Sequence, residues 1–385
     1  MFWKNIKSRL SKNVIILGLV SFLNDLSSDM IFPVLPSFFA VGLGASTAFI
    51  GVMQGVAKSL GSLLQLFSGY LSQITGRRKS LTFIGYFLSS VSKPFYFFAG
   101  NPVAALFVRI TDNAGKGFRT PPRDALLSDS TSKETIGLAF GFNRAFDSAG
   151  AVLGPLIGFA LLNFAGIDYK QLFLLAAVPS VFSLWALAAG VTEIRGPVPA
   201  MRSKVLGSYP KGKFLLFLAA VFLLYLGALP DLLALLRAQE LGVTTATLPL
   251  FWVLYNLTGS FFAAPFGHAF DRAPRKVLVG GWLVYLIALA GFGFLSKEFL
   301  PFIFLIFGIF DAATDGPLRA AVVRIVPANQ RATAFGWYHA VRSVSFLLAG
   351  SLIGWGWQGF GVGTAFTAAG GVTILGLVLL LRIKF

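Results

Sequence analysis

There is no cysteine in this chain of 385 residues. Disulfides, thiolate metal sites, cysteine nucleophiles and a lipidated N-terminal cysteine are therefore excluded. Two histidines and four methionines are too few for a soft-metal pathway. Charge is scarce as well, at 12% of residues, and it is lopsided, with 15 acids against 32 bases. What fills the chain instead is apolar: 56% of side chains are hydrophobic and 15% aromatic, with a mean hydropathy of +0.77. That balance excludes a soluble globular protein. No metal-ligand cluster, Ser/His/Asp set, phosphate-cradling glycine loop or ATP-binding P-loop is found, which argues against an enzyme, a metal site and a primary pump.

A membrane-spanning helix needs about 20 apolar residues. Such segments read at about residues 14–37, 46–71, 80–99, 102–123, 136–163 and 171–192, then 213–236, 247–270, 275–296, 300–324, 332–356 and 362–381. The expected fold class is an all-α membrane protein of twelve transmembrane helices in two pseudo-symmetric six-helix halves. The basic residues gather at Lys4, Lys7, Arg9 and Lys12 and in every second connection, as at Arg77, Arg78 and Lys79, or Arg272, Arg275 and Lys276; the alternate connections hold only Lys170, Arg237 and Lys297. Positive charge is retained in the cytoplasm, so both termini are expected there. The net charge of +17 then reports topology and not a nucleic-acid partner. Residues 1–23 have a basic start and an apolar run, but Asn24, Asp25 and Asp29 follow without a small-residue cleavage pattern, so an uncleaved first helix is expected.

The longest non-apolar stretch holds Arg195, Pro197, Pro199, Arg202 and Lys204. It divides the chain into an N-terminal half at 1–192, a cytoplasmic linker at 193–213 and a C-terminal half at 214–385. An internal repeat agrees with that division, because Gly141 to Ser148 matches Gly336 to Ser343 at an offset of 195, and Gly69 to Arg78 corresponds to Gly267 to Lys276. Repeated halves suggest alternating access.

An ionisable side chain inside a bilayer costs about 2.5 to 3.5 kcal/mol on insertion scales, so each needs a partner, a wet cavity or a function. Asp25 and Asp29 share one face of span 1 and are the expected proton carriers; the alternative is that Asp25 is locked to a basic residue of spans 2, 4 or 5. Arg109, Asp112 and Lys116 form a stripe on span 4, and Arg144 with Asp147 a pair on span 5, each able to neutralise itself. Asp311, Asp315 and Arg319 repeat the pattern on span 10, and His339 with Arg342 lies on span 11. Lys58, near Gln54, has no acid on its own helix and needs an interhelical partner or an anionic ligand. Lys93 is expected to snorkel toward the outer surface. Gln54, Lys58, Arg144, Asp147, Asp311, Asp315, His339 and Arg342 are the candidate substrate contacts, with Tyr225, Tyr338 and Trp252 as aromatic liners. Arg119, Arg123 and Asp124, around two prolines at the end of span 4, read as a solvated conformational clasp and not as a site.

Gly69 to Arg78 resembles the G-x-L-[AS]-D-R-x-G-R-[RK] loop of the major facilitator superfamily, and the resemblance covers essentially the whole chain. It implies a conformational latch at Gly69, Gly76, Arg77 and Arg78, with Gln73 in place of the usual acid, and at Asp271 and Arg275 in the second half. Arg109 to Asn113 is similar to the family's R-x-x-Q-G element, which implies a coupling role for Arg109 and Asp112, although Asp112 and Asn113 replace Gln and Gly. Gly150, Gly154 and Pro155 are similar to the G-x-x-x-G-P-x-x-G element of proton-coupled exporters, and Pro33 to Pro36 to the P-x-x-P ending of twelve-span drug:proton antiporters. Physically, glycines four apart let helices approach closely and a proline bends one.

The expectation is a proton-coupled secondary transporter in the bacterial inner membrane, more readily exporting than importing a small organic solute. Proton-motive force is its energy source, with no cofactor; its partners are the small-molecule substrate and the lipid bilayer, and it acts as a monomer. The alternatives are a proton-driven importer of an organic anion, such as a carboxylate or siderophore, and a receptor that keeps the fold without transport.

Overall fold

The computed structural model describes residues 10–132, 135–194, 211–327 and 330–383. The expected linker lies outside the described residues over 195–210, as do Lys4, Lys7, Arg9, Lys133, Arg195, Arg202, Lys204 and Lys384. The chain is helical, with no strand among the described residues. In lipid every backbone N–H and C=O must be paired within the protein, and a helix does that inside one segment.

Twelve long helical segments follow one another. They are α1 (Lys12–Ile31), α2 (Thr47–Thr75), α3 (Arg78–Phe98), α4 (Pro102–Asp129), α5 (Ile136–Phe164) and α6 (Tyr169–Leu175, resuming at Ala177–Gly190). Then come α7 in two pieces, α7a (Gly212–Leu226) and α7b (Asp231–Glu240), α8 (Leu248–Arg272), α9 (Pro274–Phe294), α10 (Leu300–Ile325), α11 (Arg331–Phe360) and α12 (Val362–Leu381). Eight of the twelve are by length and composition apolar enough to cross a membrane. Polar and charged side chains set α3, α4, α8 and α11 apart, and much of the chemistry lies on them.

Two compact units form. One holds the described residues of Met1–Val34 and Leu60–Arg202, the other Leu35–Ser59 and the described residues of Ser203–Phe385. The units depart from the expected halves in Leu35–Ser59, because the tail of the first span and the first half of α2 pack with the second half of the chain. Glycine explains that packing: a Cβ at Gly51 would collide with the Gly350 carbonyl of α11, and one at Gly55 would stand 2.9 Å from Leu347 O. In the first unit α1 lies along α5 in the same way. A Cβ at Gly150 would be 2.6 Å from Phe22 O, and one at Gly154 2.5 Å from Leu26 O. The glycines four apart on span 5 thus bring two backbones into contact. Asn13, at the start of α1, exchanges hydrogen bonds with Thr192 beyond α6, donating to its carbonyl at 3.0 Å and accepting from its N–H at 2.9 Å.

Prolines act differently at three places. After α1, Pro33 and Pro36 replace regular helix by a 3-10 turn, Phe32–Val34, and a π turn, Phe38–Gly42. In α4, Pro121 and Pro122 do not end the helix. The carbonyl of Gly117, which Pro121 cannot bond, has Ser68 Oγ at 3.5 Å. In α7 the expected continuous span breaks between Leu226 and Asp231, around Gly227 and Pro230. Tyr285 of α9 closes the gap, since its hydroxyl donates to Gly227 O at 2.6 Å and accepts from Leu229 N at 2.8 Å. Tyr285→Phe should leave both groups buried without a partner and lower stability by about 1–3 kcal/mol. Thermal unfolding in detergent checks this; an unchanged midpoint would mean that the break is satisfied by other means.

Candidate functional site

Charge within the first unit is concentrated on α4 and met by α1, α3 and α5. Close approach of α3 and α4 is again a glycine effect, with a Cβ at Gly115 falling 2.6 Å from Gly85 O and a Cβ at Gly85 falling 2.6 Å from Arg119 N. This contact brings Ser89 to Asp112. The Asp112 carboxylate accepts from Ser89 Oγ at 2.6 Å and faces Lys116 Nζ at 3.1 Å and Arg109 Nη1 at 3.4 Å. The stripe expected on span 4 does neutralise itself, with a hydroxyl from α3 added. A carboxylate so fully engaged is a staple between helices.

About two and three turns beyond Asp112 on α4, Arg119 is buried and Arg123 half-buried, and neither is solvated as a clasp would be. The reason is that α4 continues through Pro121 and Pro122 to Asp129, so these side chains fall inside the unit. Arg119 Nη2 lies 3.5 Å from Asp25 Oδ1, and its guanidinium sits 4.2 Å over the Tyr86 ring. Arg123 Nη1 donates to Ser21 Oγ at 3.1 Å and stands 3.8 Å from Asp147 Oδ1, while its Nε donates to Asp124 at 3.0 Å. Asn143 links the two, accepting from Ser21 at 3.3 Å and donating to Asp147 at 3.2 Å. The expected pair of Arg144 with Asp147 gives way to this network, and Arg144 is exposed. Asp29 is half-buried, one turn from Asp25. The network is incompletely satisfied: Arg119 Nε and Nη1 and Asp147 Oδ1 are buried with no hydrogen-bond partner among the described residues.

Lys93 does not snorkel. It is fully buried, with Nζ donating to Ser27 Oγ at 2.8 Å and Ser180 Oγ at 2.9 Å and lying 3.5 Å from Asn24 O. Three neutral oxygens match the three donors of an ammonium, which holds the side chain inward.

The second unit holds the other cluster. Lys58 finds the interhelical partner it needs in Asp231, whose Oδ2 is 2.5 Å from Nζ. Asp231 occupies the first turn of α7b, where the helix dipole favours a carboxylate. Arg342 Nη1 is 3.0 Å from Asp315 Oδ1, and Arg319 pairs with the other oxygen of Asp315. Phe346 joins the two pairs: Lys58 Nζ is 5.0 Å and Arg342 Cζ 5.3 Å from its ring centre, and Arg342 also lies 4.8 Å from the Tyr225 ring. Gln54, Tyr225, Tyr338 and Trp252 are buried; Asp311 and His339 are half-buried, His339 beside the Tyr338 ring at 5.2 Å.

The residues expected as a latch are dispersed. Gly76 has φ +64, a conformation that glycine alone adopts freely. Arg78 donates to Ala125 O at 2.8 Å and pairs with Asp129; Arg77 and Arg275 are exposed. Gly69 faces Pro121, and Asp271 pairs with Arg324 at 3.6 Å.

Asp231, Phe346, Tyr86 and Ser89 escaped the sequence reading. For Asp231 a signal existed, because Gly227 and Pro230 interrupt an apolar span just ahead of it, and interrupted spans mark binding sites in transporters. Among the described residues no group of acidic or histidine side chains could hold a metal. The two buried charges should respond oppositely to removal. Asp112→Leu takes the acid from the buried Arg109 and the half-buried Lys116 and should cost about 3–5 kcal/mol. Lys93→Met, which leaves Ser27 and Ser180 to pair at 2.6 Å, should stay within about 1 kcal/mol of the native protein. Thermal unfolding of both variants checks the contrast.

Relatives share this architecture. The family model described as Major Facilitator Superfamily matches residues 17–253 and 214–384. An uncharacterized MFS-type transporter of Methanocaldococcus jannaschii is 34% identical over 360 residues, covering 91% of this chain and 89% of that protein. The multidrug resistance protein MdtH of Salmonella arizonae is 25% identical over 200 residues, covering 51% and 48%. Among solved structures, a POT family transporter in complex with 5-aminolevulinic acid superposes with a TM-score of 0.77 at 13% identity, covering 96% of each chain; at that identity the likeness shows the fold. With the family model spanning nearly the whole chain, this multi-pass membrane protein belongs to the Major Facilitator Superfamily of transporters.

Proposed function

We propose that the chain is a proton-coupled secondary transporter that moves a small organic solute by alternating access, with export as its direction. The observation that carries the coupling is the strained bookkeeping of charge around α4. Two carboxylates, Asp25 and Asp147, face the buried Arg119 and the half-buried Arg123 at 3.5 and 3.8 Å, outside good hydrogen-bond distance. Neutralising Asp25 releases the buried Arg119 guanidinium, whose Nε and Nη1 already lack a hydrogen-bond partner among the described residues, while neutralising Asp147 leaves Arg123 to Ser21 and Asp124. The freed arginine must then find another partner, and a buried unpaired charge is costly enough to drive a rearrangement. Asp112 is a poorer carrier in this reading, since three groups hold it.

Export is supported by the resemblance of Gly150 to Gly158 and Pro33 to Pro36 to exporter elements and by the relative named for multidrug resistance. Import of an organic anion rests on Lys58 and the midplane arginines, and the part that rests on Lys58 is weakened by Asp231 at 2.5 Å. The basic connections support an inner-membrane protein with both termini cytoplasmic, working as a monomer on proton-motive force alone.

Reconstituted protein in liposomes containing a pH dye, challenged with lipophilic cations, zwitterions and polycarboxylates, should show solute-dependent proton movement. Asp25→Asn and Asp147→Asn should each lower that movement about tenfold or more, equivalent to 1.4 kcal/mol on the barrier, while solute exchange without a gradient persists. No proton movement with any solute, or variants as active as the native chain, would sink the coupling; absence of all flux would favour a receptor.

A further inference from the structure

We propose that the charged cluster of the second unit receives a small zwitterion, a solute carrying one ammonium and one carboxylate beside a flat or apolar body. The inference rests on the transport reading above and names the substrate class for it. Its starting point is that the cluster is built of matched pairs. Lys58 pairs with Asp231 and Arg342 with Asp315, and the two pairs flank one ring, Phe346. Asp231 and Asp311 also act on the Arg342 charge, so the pairs belong to one electrostatic site. With Arg319 on Asp315, three cations meet three carboxylates among the described residues.

A solute with a single charge cannot enter such a site cheaply. An anion that takes Lys58 or Arg342 leaves Asp231 or Asp315 without its cation, and a cation that takes a carboxylate strands a lysine or arginine. Removing one partner from a buried pair is far more costly than exchanging both. A zwitterion exchanges both, its carboxylate meeting a cation while its ammonium meets the carboxylate that cation gave up.

The side chains are placed for such an exchange. Those of Lys58, Asp231, Arg342 and Asp315 keep 22–28% of their surface accessible although they belong to membrane-spanning segments. Arg342 Nε is buried and donates to nothing among the described residues, so a carboxylate would gain a donor already oriented by the Tyr225 and Phe346 rings. The two rings, 5.1 Å apart between centres, offer an apolar surface for the body of the solute. The break in α7 makes this possible, since Tyr225 ends α7a and Asp231 starts α7b.

The test uses the purified full chain in detergent and matched triplets of ligands. Phenylalanine, leucine and γ-aminobutyrate are each compared with their carboxyamide, a cation, and their N-acetyl form, an anion. Affinities are read from the rise of the melting midpoint with ligand concentration. In at least one triplet the zwitterion should bind about tenfold or more tighter than both blocked forms. In that triplet Asp231→Asn, which removes one negative charge beside Lys58, should move the preference toward the N-acetyl form. A singly charged form binding as tightly as its zwitterion wherever binding occurs, or no response to any member of any triplet, overturns the proposal. Either failure leaves the proton assay intact, because that assay reads Asp25 and Asp147 in the first unit.

Discussion

A charge inside a lipid-spanning bundle has no water to fall back on, and that constraint orders the rest of this structure. Each ionic group of the interior must find its complement on another turn or another helix, and the helices have to approach closely enough to allow it. Glycine provides the approach. Gly85 and Gly115 bring α3 against α4 so that Ser89 reaches Asp112. Gly150 and Gly154 bring α1 against α5, the two helices that supply Asp25 and Asp147. Where an amine is within hydrogen-bond reach of neutral oxygens alone, as at Lys93, the structure provides one oxygen for each ammonium donor.

The pairs differ in how firmly they are made, and that difference separates structure from chemistry. Asp112 is held on three sides and resists change. Asp25 and Asp147 are held loosely, at 3.5 and 3.8 Å, and Arg119 beside Asp25 retains unpaired donors among the described residues. In the second unit the pairs are close but partly accessible, and each can trade one partner for another. Alternating access requires groups of this second kind, because a conformational cycle turns on interactions of nearly equal strength that a proton or a solute can tip.

Much of the fold was legible in the residues. Apolar runs marked the spans, and the glycines of span 5 marked a close helix contact. Local pattern suffices there, since hydropathy and spacing act within one segment. The site was legible as an inventory and not as a set of partners. Arg109, Asp112 and Lys116 could be paired from spacing alone because they share a helix. Arg144 and Asp147 could not, since Arg123 from α4 competes for the same carboxylate. Arg119 and Arg123 were expected in solvent at the end of span 4, whereas α4 runs on through Pro121 and Pro122 to Asp129 and keeps them inside the unit.

The sequence by itself determined that this chain is a helical membrane protein of repeated halves, which charges its interior must hold and that thiol chemistry plays no part, since each follows from composition or from short-range periodicity. Tertiary structure alone decided which cation meets which carboxylate. Arg119 and Asp25 are 94 residues apart in the chain and Lys58 and Asp231 are 173 apart. Such partners depend on the rotation and depth of whole helices, which are set by backbone contacts at glycines and by breaks at prolines, and no local pattern encodes them.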